Sequence, residues 1–153
     1  MESLKMNSNS IPKNYFEKCI LDKICYVVTP TEAADLFKKY IPNKYKESIG
    51  IIALDNNSKV LSLHIFNGIG KGSSFFSISE VFEILILSHA SSFIFVHNHP
   101  SNCVNPSSND KCKTSRLIDA GALLGIPLVD HVITGEDKVY SFKNHGIVFN
   151  EPF

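Results

Sequence analysis

The sequence predicts an α/β (α+β) fold, a mixed β-sheet flanked by helices in one domain, and three observations carry that expectation. Short β-branched, apolar runs alternate with helices that open on recognisable caps. Two of the runs flank Asp55-Asn56-Asn57-Ser58, which has the composition of a hairpin turn. The 153 residues suit one domain with a real core.

In chain order, Met1 to Pro12 is polar and rich in serine and asparagine, so residues 1–22 are expected to form a partly disordered extension and residues 23–153 the domain. Ile24 to Val28 reads as a short strand. Thr29-Pro30-Thr31-Glu32 combines a threonine cap, a proline at the first helical position and a glutamate three residues after the cap, predicting a helix to about Tyr40. Ser48 to Leu54 and Lys59 to Phe66 are the two arms of the hairpin. Gly68, Gly70 and Gly72 make a mobile loop. It has neither the GxxxxGK(S/T) spacing nor a helix directly behind it, so no phosphate cradle is expected. Ser77-Ile78-Ser79-Glu80 is a second capping box, opening a helix with apolar Val81, Ile84, Leu85 and Leu87. A buried strand follows over Phe93 to Val96. Asn105-Pro106-Ser107 reads as a cap, a proline at the first position and a first turn, with the helix running from Ser107 to about Leu124 and stopping at Gly125. Strands at Leu128 to Thr134 and Val139 to Phe142 close the domain.

Composition bounds the partners. Fifteen basic and fifteen acidic residues give a net charge of zero, so no overall field gathers nucleic acid or an anionic membrane. Arg116 is the one arginine, and arginine is the residue best shaped for bidentate phosphate and guanine contacts. Cys19, Cys25, Cys103 and Cys112 form no CxxC pair and read as reduced thiols. The first fourteen residues lack the apolar centre of a signal peptide, and no apolar run approaches the roughly 20 residues of a membrane helix. A cytoplasmic location is therefore expected.

Chemistry concentrates in Phe95-Val96-His97-Asn98-His99-Pro100. Side chains of a strand repeat with period two, so His97 and His99 leave the strand end on one face. Asp110 arrives from a helix start eleven residues beyond His99. Two imidazoles and a carboxylate are the three protein ligands that a hydrolytic zinc site uses while keeping a fourth position open. Ser107, three residues before Asp110, offers a hydroxyl of the kind that stabilises a tetrahedral intermediate. On spacing alone the bland alternatives stand beside this: a His-x-His can be a surface or core pair, and Ser107 a plain helix-start residue. Cys103 and Cys112 also allow a structural site of two histidines and two cysteines, although Cys112 is rotated by about 200° from Asp110 on a helix. Asp130-His131 reads as a hydrogen-bonded core pair, or alternatively as outer support for a ligand histidine. His64, His89 and His145 have no partner spacing.

With those residues in view, the chain resembles the RadC-like branch of the JAB/MPN metallohydrolases over about residues 25 to 149. The stretches that carry the likeness are Glu47 to Asp55 (ESIGIIALD), Glu80 to Ser101 (EVFEILILSHASSFIFVHNHPS), Pro106 to Asp110 (PSSND), Leu124 to Gly135 (LGIPLVDHVITG), Ser141-Phe142 and Gly146. The family signature is an upstream glutamate, then His-x-His, seven residues, serine, two residues and aspartate, and His97, His99, Ser107 and Asp110 match it without a gap. The resemblance implies a JAB/MPN (cytidine-deaminase-like) domain of the JAMM type with one zinc ion per chain on His97, His99 and Asp110. It implies Ser107 as oxyanion partner and Glu47 as general base. Glu47 alone, in Lys44-Tyr45-Lys46-Glu47, would read as a solvated charge. The implied activity is zinc-dependent hydrolysis of amide bonds in a protein or peptide substrate, a ubiquitin-like conjugate among the candidates, with Glu47 moving a proton from the attacking water to the leaving amine.

The chain departs from the family in two places. Asn102-Cys103-Val104 stands where the family usually has Gly-Asp-Pro, and Ile78-Ser79 where it has Pro-Arg. These changes bear on substrate preference rather than on the quartet. Two alternatives follow from the likeness. One is a DNA-repair-associated factor, as the traditional label of the family suggests, although its helix-hairpin-helix region has no counterpart before Glu47. The other is a metal-free scaffold of the kind formed by MPN members that lost the ligands.

Overall fold

A computed structural model of the chain describes residues 17–18, 21–67 and 76–147. The expected polar start and the glycine loop at Gly68 to Gly72 lie outside these residues. Six strands form one mixed sheet: β1 (Glu17–Lys18), β2 (Ser48–Leu54), β3 (Val60–Asn67), β4 (Ser92–Asn98), β5 (Leu128–Thr134) and β6 (Val139–Ser141). Their order across the sheet is β1-β3-β2-β4-β5-β6. All neighbouring pairs are antiparallel except β4 and β5. A parallel pair needs a crossover, and here a helix supplies it. The three helices are α1 (Pro30–Tyr40), α2 (Ile78–Leu87) and α3 (Ser108–Leu124), with α3 joining β4 to β5. The mixed α+β class is thus the one expected.

β2 and β4 are buried along their length because helices cover both faces of the sheet. Alternate residues go to opposite sides. Ile49, Ile51, Ala53, Phe93 and Phe95 pack with Val81, Phe82, Ile84 and Leu85 of α2 and Leu117 of α3. Ile52, Leu54, Ile94 and Val96 pack on the other side with Ala33, Ala34 and Phe37 of α1. Gly50 of β2 faces Phe37, where a Cβ would lie 2.5 Å from the ring, so glycine is what lets α1 sit against the sheet. His97 continues the Phe93–Phe95 row on the α2/α3 side, and Asn98 the Ile94–Val96 row on the opposite side.

The caps at Thr29 and Ser77 form as expected, each with its glutamate reaching back to the cap N–H. Two expectations need correction. The strand at Ile24 to Val28 reduces to a single bridge between Tyr26 and Lys59. Its β-branched composition is misleading because Ile24, Tyr26 and Val28 face solvent and only Val27 is buried, leaving little reason to extend the ladder. The helix after Pro106 begins at Ser108, one residue past the expected start, but its cap is Ser107 rather than Asn105: the Ser107 hydroxyl accepts from the Asp110 N–H at 3.0 Å while Asp110 Oδ2 accepts from the Ser107 N–H at 2.8 Å. This third capping box uses aspartate in place of the usual glutamate.

Candidate metal centre

The site stands where β4 ends and α3 begins. His97 is the penultimate residue of β4 and His99 follows the strand, so both rings project from the α2/α3 face of the sheet. The α3 cap presents Asp110 to them. The Nε2 atoms of His97 and His99 are 3.0 Å apart. Asp110 Oδ1 is 3.3 Å from His97 Nε2, and Asp110 Oδ2 is 3.4 Å from His99 Nε2. Two ligand atoms at about 2.0–2.1 Å from a tetrahedral ion of the size of zinc stand about 3.3 Å apart. The contacts made by the two different oxygens of Asp110 stand at that spacing and the two nitrogens somewhat closer, and His97, His99 and Asp110 form the potential metal-ligating group among the described residues, each offering one ligand atom within 4.8 Å of the others.

Hydrogen bonds settle which nitrogen of each ring is free. Thr114, one turn after Asp110 in α3, donates its hydroxyl proton to the Asp110 carbonyl at 2.8 Å. That hydroxyl has one proton, so at 2.5 Å it can only accept from Nδ1–H of His131. His131 is fully buried, and burial, the largest influence on it, lowers its pKa well below the ordinary value and keeps the ring neutral. Its Nε2 is then an acceptor, and it lies 2.8 Å from Nδ1 of His97. The relay fixes His97 with its proton on Nδ1 and the Nε2 lone pair aimed into the triangle. His99 reaches the same state by a shorter route, with Nδ1 donating to the Cys103 carbonyl at 2.7 Å. Two neutral imidazoles cannot hold their lone pairs 3.0 Å apart without a positive centre between them. A proton or a metal ion meets that need.

Charge follows the same geometry. The bond to Asp110 is the largest influence on His99 and raises its pKa; burial opposes this, and the Cys103 carbonyl and the charges of Asp110 and Glu47 add to it. For Asp110, burial is the largest single influence and acts upward. Bonds from His97 and His99, the His97 charge and the Ser107 N–H together outweigh it and hold the carboxyl well below the usual range.

Each expected residue can now be placed. His97, His99 and Asp110 come together as the triangle. Ser107 caps α3, and because its oxygen accepts from Asp110 N–H, its own proton remains free to donate. Glu47 precedes β2, two residues before Ile49, the last residue of β2 paired with β4, and lies near His99. It is half-buried there, within electrostatic reach of that ring. The alternative with two cysteines does not form: Cys103 offers its backbone carbonyl to His99, and neither it nor Cys112, both exposed free thiols, joins the group. Asp130 and His131 divide. Asp130 accepts from Ser141 and the Lys143 N–H, away from the site, whereas His131 supports His97 directly. The core-pair reading therefore holds for Asp130 alone. Thr114 was not singled out from sequence, although its place four residues after Asp110 on a helix is a usable signal.

Asn102 accounts for the departure from the family glycine. Its φ is +62°, the left-handed region where asparagine is tolerated. Its amide accepts from the Glu136 N–H at 2.7 Å and donates to Asp137 at 2.9 Å, tying the loop after His99 to the β5–β6 turn.

Comparison with known proteins adds three findings. The profile of the family described as RadC-like JAB domain matches residues 27–147. A UPF0758 protein of Chlorobaculum parvum is 40% identical over 108 residues, which are 71% of this chain and 49% of that protein. UPF0758 proteins of Roseiflexus castenholzii and Caldanaerobacter subterraneus are 33% identical over 124 residues and 34% over 120, covering 81% and 78% of this chain and 53% and 52% of theirs. The chain spans about half the length of the curated relatives it matches. Among the described residues, no helix is long and apolar enough to cross a membrane.

Proposed function

The chain belongs to the family of RadC-like JAB domains, and from that premise and the site geometry we propose that it is a zinc-dependent hydrolase of amide bonds, acting on a peptide or an isopeptide. The observation that carries this reading is the convergence of His97, His99 and Asp110: the two Nε2 atoms stand 3.0 Å apart, one Asp110 oxygen lies 3.3 Å from that of His97 and the other 3.4 Å from that of His99, and both Nδ1 protons are engaged elsewhere. Zinc held there supplies a Lewis acid that brings the pKa of a water molecule from about 15.7 to about 7.

The chain's own residues do the rest. His97 and His99 present their Nε2 lone pairs without reorganising, because His131 and the Cys103 carbonyl already hold the opposite nitrogens. Asp110 adds a negative charge fixed by the cap of α3. Glu47, beside His99, takes a proton from the attacking water and delivers it to the departing amine. Ser107 directs its free O–H toward the oxygen on which charge develops. A protein or peptide with an accessible amide or isopeptide bond is the substrate class this set suits, a ubiquitin-like conjugate included.

The test is metal analysis of the wild type and His97→Ala beside turnover of Glu47→Gln on a panel of peptides and isopeptides. The wild type should hold one zinc ion and cleave an amide. His97→Ala should lose the metal, and Glu47→Gln should keep it while losing about 10²-fold or more in turnover. A wild type without stoichiometric zinc, or a Glu47→Gln variant as active as the wild type, removes the hydrolase reading and leaves the scaffold.

A further inference from the structure

Between the two candidate ligand histidines sits Asn98, whose side chain leaves the sheet on the side opposite to theirs and is nearly fully buried. Its Oδ1 accepts from the Ser48 N–H at 2.7 Å. Its Nδ2 donates to the Lys46 carbonyl at 2.9 Å and to the Lys44 carbonyl at 3.4 Å. The partners fix the orientation of this amide, since an N–H must meet the oxygen and the two carbonyls must meet the NH2 group. The Lys46 carbonyl belongs to the peptide group before Glu47, and the Ser48 N–H to the one after it. One side chain therefore holds both peptide groups that flank Glu47 and so fixes the direction of its Cα–Cβ bond.

Little else ties this segment down. Residues 44–47 lie between α1 and β2 outside regular structure. The bonds of Asn43 to Tyr45 and Lys46 are internal to the turn. The Lys44–Glu136 ion pair at 3.4 Å is exposed, and such pairs hold geometry weakly. Among the described residues, the Asn98 amide is the buried connection between this segment and the metal-binding strand.

We propose that Asn98 is a positioning residue for Glu47, placing the proton-transferring carboxylate in one frame with the two histidines that neighbour Asn98 in the chain. This rests on the hydrolase reading above. Asparagine suits the task because it offers one acceptor and two donors in a single plane at the right length. Aspartate keeps the shape and the acceptor but turns an oxygen toward two carbonyls, and alanine removes all three bonds.

Hydrogen exchange of the metal-free protein, zinc content and steady-state kinetics on the best substrate of the panel, compared across wild type, Asn98→Ala, Asn98→Asp and Glu47→Gln, test this. In Asn98→Ala the Ser48 amide should exchange about tenfold faster or more while β3 and β5 keep their protection. Both Asn98 variants should retain one zinc ion and lose about tenfold or more in kcat with KM within about twofold, as misplacing a reacting group does. Should Asn98→Ala fail to fold, Asn98→Asp carries the kinetic comparison, since a space-filling role would leave it like the wild type. Unchanged Ser48 exchange, or kcat within about twofold of wild type in Asn98→Asp, beside an inactive Glu47→Gln, overturns the positioning role alone. Equal turnover of wild type and Glu47→Gln overturns the hydrolase reading and the positioning role with it.

Discussion

Nδ1 of His97 lies 2.8 Å from Nε2 of His131, and the direction of that bond is set by a threonine two steps away. Because Thr114 spends its proton on the Asp110 carbonyl, it must accept from His131, and His131 must accept from His97. Thr114→Val removes the acceptor, frees His131 to take the other tautomer and should weaken zinc binding by about 10- to 100-fold, measured by competition with a chromogenic chelator. Thr114→Ser keeps the hydroxyl and should bind within a few-fold of wild type. Equal affinity in all three proteins would mean that the relay does not orient the ligand.

The metal-free protein should be most stable near pH 6.5 within the histidine range. The His99 pKa is raised on folding, so its stabilising contribution is complete below the ordinary value of about 6.5 and is lost as pH rises through the raised value. The His131 pKa is lowered, so its contribution is complete above about 6.5 and is lost as pH falls. Zinc held by His97 and His99 would replace the proton their Nε2 atoms share, and on the proposed reading it should abolish the alkaline decline while leaving the acid one. Thermal melts between pH 5.5 and 8.5, with chelator and with zinc, check this; a chelated protein whose Tm climbs steadily through that range contradicts it.

The observed role of Ser107 as a cap and its proposed role as a hydrogen-bond donor to the reacting oxygen are separated by different substitutions. As the cap of α3 it accepts from Asp110 N–H, and Ser107→Ala should cost about 0.5–2 kcal/mol of stability in urea unfolding. Ser107→Gly, a tolerated cap, should cost only a few tenths of a kcal/mol. Both lack the hydroxyl donor and should lose about 10²-fold in kcat. If Ser107→Gly turns over like the wild type, the hydroxyl stabilises no charge in the reaction.

Asn102 replaces a family glycine in the left-handed region at φ +62°, and its side chain repays the strain with bonds to Glu136 and Asp137. Asn102→Gly should therefore lie within about 1 kcal/mol of wild type, losing hydrogen bonds but gaining backbone freedom. Asn102→Ala loses the bonds and keeps the strain, and should be less stable than Asn102→Gly by about 1–2 kcal/mol in chemical denaturation.

Most of the scaffold and part of the site can be read from the residues alone, and the division has a physical basis. Two helix starts are spelled out locally by Thr29 with Glu32 and Ser77 with Glu80, and the face shared by His97 and His99 follows from strand period. The cap of α3 is ambiguous in the sequence because Asn105-Pro106 offers a competing cap and the box at Ser107 uses the shorter aspartate. The exposed run at Ile24 to Val28 has strand composition without the burial that rewards strand pairing. Glu47 beside His99, Asn98 across from Ser48 and His131 behind His97 depend on the register of β2 and β5 against β4, which no local pattern encodes. Family likeness supplied Glu47; neither likeness nor spacing supplied Asn98 or Thr114.

The reciprocal bonds between Ser107 and Asp110 have a practical consequence for anyone preparing an inactive control. Asp110→Ala deletes a candidate ligand and, in the same stroke, one half of a helix start, so a partner lost by that variant could report a frayed α3 rather than absent metal. Asp110→Asn, whose side-chain oxygen can still accept from the Ser107 N–H while its charge is gone, is the cleaner instrument.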